Sequence, residues 1–235
     1  MIKTSISYGF GKDNRYKLDR IPVDIQLAVY KYALWEENAD EIVNSLYQNS
    51  IRVNAIHLPL DALKQPIDKI LDLIRIGEST LFCKKFIIHP NKGIAFFIQS
   101  FLATSIDATL CVENFQHRTK KEFRNILYII ENCIQHNTPR LKVCLDTSHT
   151  EDQWFHPHIM QYILKYVSVI HLSNRKKGKG SHLPFNMPDG DLNLVGFVKE
   201  LTNRYHWKGD IVLEYMPEYH DKLFKNHGYL TRLVE

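Results

Sequence analysis

Eight short apolar runs alternate with amphipathic stretches along the 235-residue chain, and that alternation leaves few folds open to it. The runs lie near 2–8, 24–30, 51–57, 84–89, 108–113, 141–146, 167–172 and 210–214. Helical patterns fall near 37–48, 61–77, 93–105, 119–136, 153–166, 191–205 and 217–234. In the fourth of these, Phe123, Ile126, Leu127, Ile130 and Cys133 repeat at helical spacing. Asp61, just ahead of ALKQPIDKILDLI, reads as a helix N-cap. Strands that alternate with helices imply right-handed crossovers and a parallel sheet, and eight such strands close into a (β/α)8 barrel. The length suits one such barrel, and no repeat, linker or low-complexity tract argues for a second domain, so a single domain over residues 1–235 is expected.

One connection breaks the pattern. Residues 9–23 (GFGKDNRYKLDRIPV) are rich in Gly, Asp, Asn and Pro, so the first crossover helix is expected to be short or missing. Lys12, Arg15, Lys17 and Arg20 would then lie on a loop.

Six of the runs end on a histidine or a carboxylate: NAIHLP (His57), KFIIHP (His89), TLCVEN (Glu113), KVCLDTSH (Asp146, then His149), SVIHLS (His171) and DIVLEY (Glu214). A single polar residue at a strand end has a bland explanation, since buried strands stop where water begins. Six in succession that all carry metal-ligand chemistry do not. Active residues of a parallel barrel come from the C-terminal ends of its strands, and strands about 4.8 Å apart let neighbouring side chains share one ion. Imidazole and carboxylate without thiolate suit Zn, Mn, Fe or Co. Glu113 has two oxygens and can bridge two ions. Beyond the six, His149 and His182 either hold a further ion or act as general acid or base. His156 and His158 flank a proline at a helix start and read as surface residues. The run from Arg175 to Gly180 (RKKGKG) offers Lys176, Lys177 and Lys179, with backbone N–H groups, as a phosphate cradle.

Composition adds bounds. A formal charge of +4 is mild, and it favours a small anionic ligand without demanding nucleic acid. The four cysteines, Cys83, Cys111, Cys133 and Cys144, show no CxxC pair, and those inside strands read as small buried hydrophobes. No apolar segment approaches the roughly 20 residues of a membrane span, and the first residues carry no apolar signal core, so a cytoplasmic protein is expected.

The words IHLP, IIHP, CVEN, CLDTSH, IHLS with SHLP, and VLE, in that order, resemble the xylose isomerase-like barrel superfamily, which includes sugar isomerases and epimerases and the endonuclease IV type of apurinic-site nuclease. The resemblance implies one ion held by Glu113, Asp146, His171 and Glu214, common to both groups. It implies a second, nuclease-type ion held by His57, His89 and Glu113. It further implies a third at His149 and His182 with an aspartate two residues before the latter, where this chain has Gly180; nothing in the spacing makes Asp189 or Asp191 its substitute. The chain is also shorter than such nucleases, has HLPLD after its first histidine where they carry an aromatic residue, and shows no insertion for wedging into DNA.

The sequence therefore predicts an enzyme with two divalent ions acting on a small phosphorylated or sugar-like substrate, most naturally a phosphoester hydrolase. Glu113 and Glu214, with His149, are the catalytic candidates, and Lys176, Lys177, Lys179 and His182 the substrate-binding ones. The alternative is a sugar or sugar-phosphate isomerase or epimerase with one ion, in which Glu113 and Glu214 move a proton between carbons. An apurinic-site nuclease acting on DNA and a silent barrel that binds metal or sugar stand further off, and self-association remains open.

Overall fold

The computed structural model describes residues 1–10, 23–114, 126–150 and 152–235. Eight parallel strands follow one closed order, 3–10, 210–213, 167–172, 141–146, 109–113, 85–88, 53–57 and 25–29, which is the (β/α)8 barrel expected from the alternation. The expectation for residues 9–23, with Lys12, Arg15, Lys17 and Arg20, falls almost entirely outside the described residues.

The chain groups into two compact units. In the unit formed by residues 7–113 and 133–142, β2 (Ile25–Val29), β3 (Val53–His57), β4 (Lys85–Ile88) and β5 (Thr109–Glu113) pair in parallel succession. Every residue of β2 is buried, as a strand covered on both faces requires. Helix α1 (Tyr32–Gln48) packs through Trp35, Ile42 and Leu46, and α2 (Ile67–Leu81) through Ile70, Leu71, Leu73, Ile74 and Gly77. Helix α3 (Ile94–Leu102) adds Phe97 and Phe101. Each fully buried Leu, Ile or Phe contributes about 1.5–3 kcal/mol. Asp61 does cap a helix, but not the one that follows it. Its Oδ1 accepts the Tyr32 backbone N–H at the start of α1 (3.0 Å), while the segment after it forms only a 3-10 turn, Ala62–Lys64, before α2 begins behind Pro66.

The other unit comprises residues 1–6, 114–132 and 143–235. There β1 (Lys3–Phe10) pairs with β10 (Asp210–Leu213), β10 with β7 (Val167–Leu172) and β7 with β6 (Leu141–Asp146). Its described helices are α4 (Ile126–His136), which straddles the unit boundary, α5 (Pro157–Ile163), α6 (Leu194–Asn203) and α7 (Leu223–Val234). Asn193 sets the start of α6, its side chain accepting the Gly196 N–H at 3.1 Å. His156 and His158, at the start of α5, are exposed. The cationic run after β7, which the sequence presents as an irregular loop, is an antiparallel hairpin of β8 (Asn174–Lys176) and β9 (Gly180–Leu183).

Gly209, just before β10, shows why one position takes no side chain. A Cβ there would stand 2.4 Å from the Trp207 indole and 2.8 Å from the Ser168 carbonyl oxygen. The indole is itself fixed by its N–H bond to the Val167 carbonyl (3.1 Å), so neither neighbour yields easily. Gly209→Ala is expected to cost about 1–3 kcal/mol, the usual range for overpacking, and thermal unfolding against the parent chain measures it.

Candidate metal centre

In the first unit, His57 ends β3, His89 follows β4 directly and Glu113 ends β5. The Nε2 atoms of both histidines point at one oxygen, Glu113 Oε2, at 3.0 and 3.1 Å. Their rings meet edge to face with centroids 4.8 Å apart. The His57 Nδ1 lies 2.9 Å from the Leu58 carbonyl oxygen, which can only accept, so this nitrogen carries the hydrogen. In a neutral ring the opposite nitrogen then presents a lone pair to a carboxylate oxygen. A contact of 3.0 Å in a buried place needs either a ring proton or a cation between the two atoms, and a divalent cation is one way to supply it.

In the second unit, Asp146 ends β6, His171 lies on β7 and Glu214 follows β10. Their ligand atoms lie within 4.8 Å of one another, with His171 Nδ1 2.7 Å from Glu214 Oε2. Asp146 and His171 are wholly buried. The DTSH word explains how Asp146 is aimed. Its Oδ1 accepts the Ser148 N–H (2.7 Å), the Ser148 hydroxyl (2.8 Å) and the His149 N–H (3.3 Å), capping the 3-10 turn Thr147–His149. That leaves Oδ2, which has no hydrogen-bond donor among the described residues. A buried carboxylate oxygen in this position costs free energy unless a cation meets it.

The same Oδ2 faces two further imidazoles, His149 Nδ1 at 3.6 Å and His182 Nδ1 at 3.9 Å. Sequence reasoning paired these histidines but did not give them Asp146 as their carboxylate. The signal was present in the three-residue step from Asp146 to His149, which one tight turn makes a contact. Gly180 has φ +111, a left-handed backbone that an aspartate rarely adopts, so the hairpin is shaped around glycine there.

Behind these ligands stands a layer of supporting hydrogen bonds. Asn114, buried, donates to the Asp146 carbonyl (3.0 Å) and accepts the Asp146 N–H (2.7 Å), clamping the end of β6. Thr147 donates to the Ser173 carbonyl at 2.7 Å and accepts the Ser173 N–H at 3.1 Å. Arg175 donates to the carbonyls of Ser148 and Thr150. The Tyr215 hydroxyl accepts the Phe185 N–H and an Asn226 amide hydrogen, both at 3.2 Å, and burial pushes its pKa up. Met216 N–H donates to the His182 carbonyl at 2.9 Å. The strap that carries His182 is thereby tied to the residues just after Glu214. Sequence reasoning found none of these supports, because side chains paired across long sequence separations leave no local pattern.

Asn114→Ala is a direct test of the clamp. It strands the buried Asp146 N–H, at about 1–3 kcal/mol for the unsatisfied group, while the Asp146 carbonyl keeps the Thr150 hydroxyl as its donor. It should also weaken ion binding by roughly 10- to 100-fold, as loss of a supporting group does at metal sites. Calorimetric titration of the metal-free chain with zinc reads the second effect, and unfolding reads the first.

The lysines proposed for phosphate have other partners. Lys176 and Lys179 both reach Asp189, at 3.3 and 3.1 Å, and hold its carboxyl below the usual carboxylate range. The Lys177 N–H donates to Asp191 Oδ2 at 2.8 Å. Asp189 and Asp191, which nothing in the sequence spacing made ion ligands, tie down the hairpin.

The donor set, imidazole and carboxylate, with a buried Asp146 oxygen left over, fits divalent ions of the zinc, manganese, iron and cobalt kind. Comparison with known proteins agrees with the barrel. Residues 98–229 match the family model of the xylose isomerase-like TIM barrel, and the chain belongs to that family. Among curated proteins it is similar to two named "Probable endonuclease 4". That from Mycoplasmopsis agalactiae is 28% identical over 176 residues, covering 65% of this chain and 59% of the relative. That from Mycoplasmopsis pulmonis is 37% identical over 106 residues, covering 41% and 35%. The chain thus spans only part of the length of the relatives it matches. Among solved structures it resembles a D-tagatose 3-epimerase-like protein, with TM-score 0.76, 14% identity and coverage of 99% and 97%. It also resembles the Thermus thermophilus protein TTHB071, soaked with zinc chloride, with TM-score 0.66, 16% identity and coverage of 99% and 98%. At those identities the likeness shows the fold alone. Among the described residues no helix is long and apolar enough to cross a membrane.

Proposed function

We propose that the chain is a metal-dependent phosphoester hydrolase that uses two divalent ions on a small anionic or sugar-phosphate substrate. The observation that carries this is the convergence of His57 and His89 on one Glu113 oxygen, a cluster for which a one-ion isomerase has no need. We assign one ion to His57, His89 and Glu113, and the other to Asp146, His171 and Glu214. The ions, when bound, neutralise phosphate charge and make water acidic enough to attack near neutral pH. Glu113 and Glu214 orient the attacking water through its hydrogens and take up its proton. His149 and His182, their Nδ1 atoms turned to Asp146, are placed to donate to or accept from the leaving oxygen. Lys176, Lys177 and Lys179 meet the substrate phosphate only where it displaces Asp189 and Asp191.

The names of the curated relatives support phosphoester chemistry, and they put DNA among the substrates to try. A second reading, a sugar epimerase or isomerase, is favoured by the Asp146, His171 and Glu214 set, which suffices for one ion while Glu113 and Glu214 move a proton. The deciding assay gives the zinc- or manganese-loaded chain three substrates: a sugar phosphomonoester, duplex DNA with an abasic site, and a ketose. Phosphate release from the monoester is the expected result. Cleavage of DNA alone, weakening steeply with salt, would move the assignment to a nuclease. Ketose epimerisation without phosphoester cleavage would end the hydrolase reading.

A further inference from the structure

Next to the metal ligand His57, strands β1 and β2 place only small residues. Gln26 and Ser7 meet side chain to side chain at 3.4 Å, so these two positions share one face. Two residues on, Ala28 and Gly9 return to that face. The register sets Ala28 against His57 on β3. Neither Ala28 nor Gly9 fills the layer in which His57 stands. Tyr30, two residues beyond Ala28, comes back to the same face roughly 6.6 Å nearer the strand's end. Its ring lies over buried Gly9, where a Cβ would stand 2.6 Å from the phenol oxygen and 2.8 Å from Cζ. The ring occupies the room that glycine leaves.

Backbone bonds fix the rim around this ring. The Leu60 N–H donates to the Tyr30 carbonyl (3.3 Å) and the Tyr32 N–H to Asp61 Oδ1 (3.0 Å), lacing together the segments that follow β2 and β3. Both side chains stay open to water, Tyr30 at 42% exposure and Leu60 at 49%. Exposed apolar residues are common and need no explanation when scattered. Among the described ones, however, Tyr30 and Leu60 alone follow a barrel strand at its C-terminal end, and the rest, apart from Met1, sit on helices or directly after one. That end of a parallel barrel is where substrates bind.

We propose that Tyr30, with Leu60 beside it, determines specificity: the substrate carries a ring next to its phosphate and lays the ring's apolar face on the Tyr30 phenol. The proposal rests on the metal-dependent phosphoester reading and adds the shape of the group attached to the phosphate. One layer separates Tyr30 from His57, a step that a phosphate with a ring attached can bridge. Aromatic rings favour stacked or edge-on partners, so a sugar or nucleobase face gains there what an open-chain alcohol does not.

Phosphonates test this without turnover, because a carbon–phosphorus bond offers no ester oxygen to cleave. The zinc-loaded chain is titrated calorimetrically with methyl-, cyclohexyl- and phenylphosphonate. At least one ring compound is expected to bind the parent chain on the order of 3- to 10-fold more tightly than methylphosphonate, the scale of one aromatic contact. A gain confined to phenylphosphonate identifies a flat, nucleobase-like ring, and a gain shared with or confined to cyclohexylphosphonate identifies a sugar ring. The gain should persist in Tyr30→Phe. It should vanish in Tyr30→Ala and in Gly9→Ala, whose added methyl group displaces the ring. Methylphosphonate should bind all three variants as it binds the parent, which shows that the ion site is intact in each. Ring compounds that bind the parent no better than methylphosphonate overturn the proposal, whatever the variants do. A gain that survives Tyr30→Ala overturns it as well, and in both cases the metal site and its phosphate chemistry stand. Failure of all three phosphonates to bind the zinc-loaded chain overturns this proposal and the phosphoester reading together.

Discussion

His89→Ala is expected to lose one of two bound ions and to lower phosphoester turnover by orders of magnitude. The reason lies in the local count of donors. His57, His89 and Glu113 offer one ligand atom each to their ion, so removing an imidazole leaves two. Two protein donors make a weak site against water, whereas a catalytic site of this kind ordinarily keeps three. Asp146, His171 and Glu214 are untouched by the substitution and should keep their own ion. His89 is only 13% exposed at its side chain and ends no helix, so the change leaves a small cavity at a strand end rather than unfolding the chain. The measurement is metal content and turnover side by side with the parent. If His89→Ala keeps its full metal content and its turnover, the two-ion hydrolase is lost and the one-ion epimerase takes its place.

The barrel was legible because its evidence is repetitive. Eight apolar runs gave all eight barrel strands to within a residue or two, and the ligand positions fell where the runs ended, as His57, Glu113 and Asp146 illustrate by closing β3, β5 and β6. Helix boundaries were less legible. The patterns near 61–77 and 217–234 each hide a 3-10 turn ahead of the helix, at Ala62–Lys64 and Pro217–Lys222, because apolar spacing does not distinguish a tight turn from the helix it leads into. The hairpin β8–β9 was missed for a different reason. Its strands, NRK and GSHL, lack apolar alternation and are held by Asp189 and Asp191 more than a dozen residues beyond the first of them. Charge runs read as free cations from sequence, and only the fold discloses the carboxylates that meet them. Asp61 makes the same point about caps, since its partner Tyr32 lies earlier in the chain and not in the helix ahead.

Asp146 offers the sharpest separation of architecture from chemistry, because its two oxygens have different employment. Oδ1 caps the turn that carries His149, and Oδ2 is the oxygen left for cations. Asp146→Asn keeps a carbonyl oxygen able to accept the Ser148 and His149 N–H groups, so the turn should survive while the negative charge is gone. Asp146→Ala removes the cap as well, and the lost cap should cost about 0.5–2 kcal/mol of stability. Both variants are expected to lose the ion assigned to Asp146, His171 and Glu214 and to fall in turnover by orders of magnitude, under either the hydrolase or the epimerase reading. The ion at His57, His89 and Glu113 should remain. The parent chain should be stabilised by metal at 100 times its dissociation constant by about 2.7 kcal/mol per ion, and each variant should show only one such increment. Thermal unfolding with and without zinc, set beside the ion count, measures this. An Asp146→Asn chain that folds, binds two ions and turns over like the parent would show that Asp146 serves the turn alone and that the metal centre is built without it.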